Sequence, residues 1–282
     1  MSRIESSAGR HGELRLAFAK QNDRTVMAEN FFRVPLQVMK PRYDASGCAC
    51  VYLLSPTGGV VQGDDYQIQV TLAANTHATL TTQAATKVYA MPFESATQSM
   101  RVRVGQDAIF EYLPDSIILF RDANFIQKVS ICLERGAKVV LQEIVMPGRL
   151  ARGETLVFGQ YQSCIEVSDS EGLLLYDTCR LQPKCQHYLT GPGVLEAYPC
   201  WGSWYLVGDF EMPPWEALCE FAEPFLNEPP KSIGGLSQLQ RGGIAIRMLA
   251  HNAEVIQAAF QTIGNWLKTE HFGIETVDLR KY

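Results

Sequence analysis

The sequence lacks a long apolar segment. Its longest uninterrupted apolar run extends from Cys48 to Leu54, far short of the roughly 18–20 residues that a membrane-spanning helix requires. The first residues, from Met1 to Ser7, contain an acid and lack the apolar core of a secretion signal. We therefore expect a cytoplasmic protein that does not associate with membranes.

The common signatures of metal sites and nucleophile sites are also missing. The chain contains no CxxC, HExxH or GxSxG motif, and its eight cysteines are scattered. A glycine-rich segment starts at Gly58, but it lacks the Lys-Ser/Thr pair of a phosphate-binding loop. We expect reduced cysteines, no structural zinc and no tightly bound cofactor.

A strong excess of charge is absent as well. The 25 Lys and Arg residues face 30 Asp and Glu residues, which gives a net charge of −5 without basic clusters, so nucleic-acid binding is disfavoured. Apolar residues, in contrast, make up 46% of the 282 residues, enough for a large core. Because no linker interrupts the chain, we predict a single domain over residues 1–282, with residues 1–11 disordered.

Apolar and polar residues alternate with period two through most of the chain. Leu14–Phe18 and Val129–Leu133 are clear examples, and turn sequences such as Gly105-Gln106-Asp107 separate such segments. This pattern predicts a mainly β fold over residues 12–210. Many short, half-buried strands favour two stacked β-sheets, in a sandwich or a β-helix-like arrangement.

The pattern changes in residues 211–282. Pro213 and Pro214 precede a helical stretch, Trp215–Leu226, and a strand-like segment, Ile244–Leu249, follows. Apolar residues then recur at helical spacing until about Gly273. We expect two C-terminal accessory helices and one strand in this region.

Three acids share the parity of apolar neighbours in predicted strands. Asp177 alternates with Leu175 and Cys179, and Glu143 and Asp64 occupy similar positions in their own segments. A buried carboxylate costs several kcal/mol unless it is paired, hydrogen-bonded or protonated. Three explanations stay open: a β-bulge shifts the parity, an arginine such as Arg180 or Arg149 pairs with the acid, or the acids line a hydrated internal passage that binds a divalent cation weakly.

Two sequence blocks carry a resemblance to a known family. The first runs from Tyr52 to Asp64 and the second from Ala78 to Tyr89; together they resemble the signature of the urease accessory protein UreD (UreH) family. Further segments, including Glu111–Ile118 and Gly148–Glu154, extend the resemblance over residues 12–282. The motif residues at these positions are Gly58, Gly59, Gly63, Thr81, Thr82, Thr86 and Lys87.

The resemblance implies a non-catalytic maturation factor with two stacked β-sheets and accessory helices. Members of this family bind apo-urease, UreF and the GTPase UreG, and assist GTP-dependent nickel insertion. An internal tunnel with Ni²⁺ in transit is implied, with Asp64 at the position linked to it, Asp177 approximately at a second position, and Glu143 added by its parity. The chain has Ser55-Pro56-Thr57 where the family often has His-Pro-Pro, so no imidazole ligand stands at position 55.

Two other functions stay open at this point. Inward carboxylates such as Asp64 and Asp177 could serve as general acid and base in a small-substrate hydrolase. The chain could also be a plain interaction module without a metal role, with its three acids neutralised by arginines.

Overall fold

A computed structural model, which describes residues 10–186, 188–272 and 279, contains two β-sheets. The first sheet has seven strands in the order β15-β14-β12-β9-β6-β1-β2. Their bounds are β1 His11–Gln21, β2 Arg24–Arg33, β6 Asp65–Leu72, β9 Ala96–Val104, β12 Asn124–Leu133, β14 Gln160–Asp169 and β15 Gly172–Leu181. The central pairs are parallel, and β2 and β15 pair antiparallel at the two edges.

The second sheet has eleven strands, of which eight follow the order β17-β18-β16-β13-β10-β7-β5-β3. The short strands β4, β8 and β11 pair beside this path. The bounds are β3 Gln37–Val38, β4 Arg42–Tyr43, β5 Ala49–Leu54, β7 His77–Thr82, β8 Thr86–Val88, β10 Ile109–Tyr112, β11 Ile117–Leu119, β13 Lys138–Met146, β16 Cys200–Gly208, β17 Ser232–Gln238 and β18 Gly243–Ala250.

The chain winds from one sheet to the other as it advances. Strand β5 lies in the second sheet, β6 in the first, β7 in the second and β9 in the first. Each turn therefore stacks on the preceding one, as when Asp65 pairs with Thr97 and Ala96 with Phe125. The expected mainly β architecture of two stacked sheets with β-helix-like winding is confirmed.

The alternation of apolar and polar residues explains why apolar side chains fill the space between the sheets. Leu14, Leu16 and Phe18 of β1 are buried while the residues between them are partly exposed. The same alternation holds along β6, β9, β12 and β14. Each of these five strands therefore directs one row of apolar side chains toward the second sheet, and these rows form much of the main core.

Two helices cover the outer face of the second sheet and create a second core. Helix α1 spans Trp215–Leu226 and helix α2 spans Ala253–Phe272. Strand β13 is consequently buried on both faces, because Val140 and Ile144 pack into this second core. The expected helix pair is confirmed, and the predicted bounds of α1 match.

The described part of the C-terminal region, residues 211–272, contains two strands, β17 and β18, so the expectation of one strand was wrong. Strand β17 was missed because it carries two glycines, Gly234 and Gly235, and only two large apolar residues. It is an edge strand that pairs only with β18 among the described residues, and such strands need little apolar alternation.

Some expectations fall on residues outside the described ranges. Residues 1–9 of the segment expected to be disordered lie there, as does Gly273, where the second helix was expected to end. Strand β1 already begins at His11. Neither described helix has both the length and the apolar composition that crossing a lipid bilayer demands.

Candidate functional site

A set of polar side chains interrupts the apolar space between the two sheets. Glu143 projects from β13 of the second sheet and meets three residues of the first: Gln127 on β12, and Tyr161 and Ser163 on β14. The Ser163 hydroxyl donates a hydrogen bond to Glu143 Oε2 at 2.6 Å, and Gln127 Nε2 donates to the same oxygen. Gln127 Nε2 also donates to the Tyr161 hydroxyl at 2.8 Å. The carboxyl group of Glu143 is thus held across the two sheets.

The environment of Glu143 favours its neutral form. Burial raises the pKa of this carboxyl group, and nearby Asp177 raises it further, while the hydrogen bonds from Ser163, Tyr161 and Gln127 act in the opposite direction. Neutral donors stabilise the carboxylate less than a cation would. A bound cation could therefore still offset the cost of ionising the Glu143 carboxyl group.

Asp177, on edge strand β15, is compensated by groups of the second sheet. Arg247 on β18 forms an ion pair with Asp177 Oδ1, and the Tyr205 hydroxyl on β16 donates a hydrogen bond to Asp177 Oδ2. The arginine partner that the sequence left open is thus Arg247, and not Arg180 or Arg149. This contact joins the two sheets at the end where β15 faces β16 and β18.

Glu143 and Asp177 line one open cavity of about 540 Å³, which we call the wide cavity. Its walls include Cys179 of β15, Trp201 of β16 and Arg247 of β18. Burial, followed by the charge of Glu143, raises the pKa of Cys179 to about 12, so this thiol is protonated at neutral pH. Among the described residues that line the wide cavity, the ionisable groups are therefore carboxyl groups, one guanidinium and a protonated thiol.

A second, much smaller cavity begins on the other side of Glu143. This narrow cavity has a volume of about 40 Å³, and its wall combines apolar residues with eight polar ones: Glu143, Asp115, Gln127, Gln98, Gln142, Tyr112, Thr82 and Thr86. Such a volume holds roughly two or three water molecules. Glu143 lines both cavities, so this residue lies at the boundary between them.

A third cavity, of about 150 Å³, lies next to the glycine-rich loop that connects β5 to β6, and we call it the loop cavity. It shares Leu53, Thr82, Thr86 and Gln98 with the narrow cavity. Wide, narrow and loop cavities therefore follow one another between the sheets, each sharing wall residues with the next.

The loop cavity brings the two sequence blocks of the family motif together. Its wall includes Gly58 and Gly59 from the first block and Thr82, Thr86 and Lys87 from the second. Val60 N–H donates a hydrogen bond to Lys87 O at 2.8 Å. A Cβ atom at Gly59 would lie 2.5 Å from the same carbonyl oxygen, so the close approach of the two segments requires glycine there.

Two other motif residues have structural partners near this cavity. The Thr81 hydroxyl, on the outer face of the second sheet, donates a hydrogen bond to Leu113 O at 2.5 Å. Gly63 has a φ of 77° and a Cβ atom there would lie 2.8 Å from Glu94 Oε2. Both residues fix backbone geometry and neither contributes a ligand group.

Asp64 is buried at the end of the glycine-rich loop, with 3% of its surface exposed. Its Oδ2 accepts a hydrogen bond from Val61 N–H at 2.8 Å and one from the Tyr66 hydroxyl at 2.7 Å. The Tyr66 side chain lines the loop cavity. Asp64 is therefore connected to this cavity through Tyr66.

The structure brings two of the three predicted acids together. Glu143 and Asp177 share the wide cavity, whereas Asp64 lies beside the loop cavity. Sequence reasoning missed Gln127 and Arg247. Both residues share the parity of apolar neighbours, as the three acids do: Gln127 alternates with Phe125 and Val129, and Arg247 with Ala245 and Leu249.

A separate buried charge cluster lies on the outer face of the second sheet. Glu111 on β10, 1% exposed, forms ion pairs with Lys268 of α2 and, at 2.7 Å, with His77 on β7. Burial opposes ionisation of Glu111, but the Lys268 ammonium and His77 hold its pKa far below the usual range. This cluster fastens the C-terminal half of α2 to the sheet.

None of the described residues form a group of three or more His, Cys, Asp or Glu side chains arranged to hold a metal ion. The cavity walls instead offer isolated carboxyl, amide and hydroxyl groups. Oxygen ligands of this kind bind a late transition-metal ion weakly in comparison with imidazole or thiolate groups. Such walls can bind a metal ion transiently and are poorly suited to holding one tightly.

Comparison with known proteins gives one consistent family. A family model described as UreD urease accessory protein matches residues 10–281. A protein named urease accessory protein UreD from Cenarchaeum symbiosum is 30% identical over 280 residues, which cover 97% of this chain and 96% of the relative. Proteins of the same name from Haloarcula marismortui (30% identity, 98% and 92% coverage) and Bacillus cereus (28% identity, 96% and 98% coverage) are similar.

Proposed function

The chain belongs to the UreD family of urease accessory proteins, and on this premise we propose that it is a non-catalytic factor in urease maturation. In this proposal it binds apo-urease, UreF and the GTPase UreG in the cytoplasm and assists GTP-dependent insertion of nickel. Ni²⁺ is the cargo of the protein and not a resident cofactor.

The succession of three cavities between the sheets carries the proposal that nickel passes through the protein. The wide cavity is open to solvent, the narrow cavity follows it, and the loop cavity lies beyond. Because Glu143 lines the first two cavities, an ion that moves between them must pass its carboxyl group. Passage requires binding that is strong enough for entry and weak enough for release, which isolated oxygen ligands provide.

Each predicted acid has its own role in this proposal. Glu143 and Asp177 contact the ion in the wide cavity, where both side chains reach the wall. Asp64 acts as a positioning residue, because its contacts with Val61 N–H and Tyr66 fix the loop and one wall of the loop cavity. The motif glycines and threonines shape the same cavity.

The arrangement of the acids favours this function over a hydrolase. Asp64 and Asp177 line or support different cavities, so they do not flank one position where a scissile bond could lie. A general acid–base pair needs both groups within hydrogen-bond reach of one substrate.

The experiment that tests the proposal is reconstitution of urease in cells that contain or lack this chain. We expect urease purified from cells without the chain to have little nickel and little activity, and the chain itself to co-purify with apo-urease and UreF. An Asp64→Ala variant should still co-purify while the nickel content of urease falls. Fully nickel-loaded urease in the absence of the chain, or turnover of a substrate by the chain alone, would overturn the proposal.

A further inference from the structure

Arg247 occupies an unusual position for an arginine in a passage for cations. It lies on β18 in the row of Ala245 and Leu249, which faces the first sheet, and its guanidinium reaches Asp177 at the wall of the wide cavity. Its side chain is 67% exposed, whereas that of Asp177 is 16% exposed. A fixed positive charge therefore stands at the solvent side of the acid that an incoming cation would meet.

Besides Arg247, most ionisable residues that line the wide cavity are acidic. Glu143, Asp177 and Glu196 line the cavity, and Arg247 is the basic residue among its lining residues in the described part of the chain. Glu196 also accepts a hydrogen bond from Gly193 N–H at 3.1 Å. Without Arg247, the Asp177 carboxylate at the wall of the wide cavity would have no cationic partner among the described residues, and a divalent ion is bound more tightly by a carboxylate that no other cation compensates.

Tight binding at this point would oppose transfer. An ion that enters must also leave toward the narrow cavity, and a deep energy minimum at the entrance slows that step. A guanidinium bound to Asp177 competes with the ion for the same carboxylate, because an opposite charge already compensates it. The competitor is covalently part of the chain and does not diffuse away.

We propose that Arg247 is a tethered cation that weakens divalent-ion binding in the wide cavity and thereby allows the ion to move on. This inference rests on the proposed nickel passage and adds a residue that sets its affinity. If Arg247 has this role, loss of its positive charge raises the affinity for nickel and at the same time lowers nickel transfer to urease. An ion pair that only holds the two sheets together would not have both effects.

The test compares Arg247→Met with the unchanged protein in two measurements. The first is Ni²⁺ binding to the purified full chain by equilibrium dialysis, where we expect the variant to bind one ion about tenfold more tightly or better. The second is the nickel content of urease matured with the variant, which we expect to fall. Adding Asp177→Asn to Arg247→Met should return nickel affinity to about the original value.

Two control variants separate charge from structure. Arg247→Lys keeps the positive charge and should leave nickel affinity close to that of the unchanged protein. Arg241→Met removes another inter-sheet ion pair, to Asp169 and Glu171, at residues that do not line the wide cavity. It should change neither nickel affinity nor nickel transfer.

The outcomes distinguish the inference from the proposed function. If Arg247→Met leaves nickel affinity unchanged or lowers it, the inference is wrong, even when urease maturation still depends on Glu143. If urease receives its full nickel content from variants altered at Glu143, the passage itself is wrong and the inference falls with it.

Discussion

Ser163 on the first sheet and Glu143 on the second are joined by a hydrogen bond of 2.6 Å between Ser163 Oγ and Glu143 Oε2. This contact crosses the space that both sheets otherwise fill with apolar side chains. A buried carboxyl group that only neutral donors hold is expensive for folding. The sequence retains it at the boundary between two cavities, which is the place where an ion would need a ligand.

Replacement of Glu143 by glutamine should change how stability depends on pH. The pKa of Glu143 is higher in the folded protein than the usual glutamate value of 4.5. Between these two pKa values, the folded state therefore binds more protons than the unfolded state. The free energy of unfolding contributed by Glu143 is therefore present below that range and is lost as pH rises through the folded pKa. Relative to Glu143→Gln, the unchanged protein should become less stable as the pH rises above the usual glutamate range.

Urea denaturation of the two proteins at several pH values measures this difference. Ser163→Ala serves as a companion variant, because it removes a neutral donor and leaves the titrating group in place. A stability difference between Glu143→Gln and the unchanged protein that is constant over the whole pH range would show that Glu143 has an ordinary pKa.

Loss of Lys268 should destabilise the protein strongly. Lys268→Met leaves the buried carboxylate of Glu111 without its ammonium partner, and breaking a buried pair on one side costs about 3–5 kcal/mol. The double variant Glu111→Gln with Lys268→Met should recover most of this loss, since neither charge then remains buried. Lys231→Met, which removes an exposed pair with Glu228, should cost less than about 1 kcal/mol.

Denaturant midpoints of these variants provide the measurement. The low pKa of Glu111 also predicts acid sensitivity: its contribution to stability is present above the usual glutamate pKa and is lost as pH falls toward the folded pKa. Equal destabilisation by Lys268→Met and Lys231→Met would contradict the role given to the buried cluster.

Asp64 should be more tolerant of asparagine than of alanine. Asparagine retains an oxygen that can accept hydrogen bonds from Val61 N–H and the Tyr66 hydroxyl, whereas alanine leaves both donors without a partner, at a cost of about 1–3 kcal/mol. If Asp64 only positions the loop, Asp64→Asn should deliver most of the normal nickel to urease. A stable Asp64→Asn protein that delivers as little nickel as Asp64→Ala would show instead that the charge of Asp64 acts on the ion.

Gly59 should tolerate alanine less well than Gly58 does. A Cβ atom at Gly59 would lie 2.5 Å from Lys87 O and 2.6 Å from Tyr89 Cε2, whereas one at Gly58 has no neighbour within 4 Å. Gly58→Ala carries only the strain of its φ of 78°, about 1–2 kcal/mol, and Gly59→Ala adds displacement of the β8 backbone. Thermal unfolding of the two variants measures the difference, and equal melting temperatures would contradict the close packing of the two motif blocks.

The alternation of apolar residues predicted the sheets because each half-buried strand repeats with period two. Leu14–Phe18 and Val129–Leu133 lie in strands β1 and β12 as expected. The alternation could not predict which strand belongs to which sheet. The chain crosses from one sheet to the other at Gly58–Gly63, and no local sequence feature marks that crossing. Edge strand β17 was not predicted for a related reason: it forms by pairing with β18, and its own composition does not indicate a strand.

The candidate site was predictable in part. Parity placed Glu143 and Asp177 on inward faces, and the structure brings them to one cavity. The partner of Asp177 could not be identified, because Arg247 is distant in sequence and approaches only when β18 lies opposite β15. The role of Tyr66 as the link between Asp64 and the loop cavity likewise depends on side-chain geometry.

The most direct test of the passage is the nickel content of urease that matures with Glu143→Gln. This variant keeps the size of the side chain and removes the ionisable group at the boundary between the wide and narrow cavities. We predict that it co-purifies with apo-urease and UreF while the nickel content of urease falls about tenfold, as expected when a carboxyl ligand at a constriction is lost. Full nickel loading of urease by a stable, assembled Glu143→Gln protein would contradict the account.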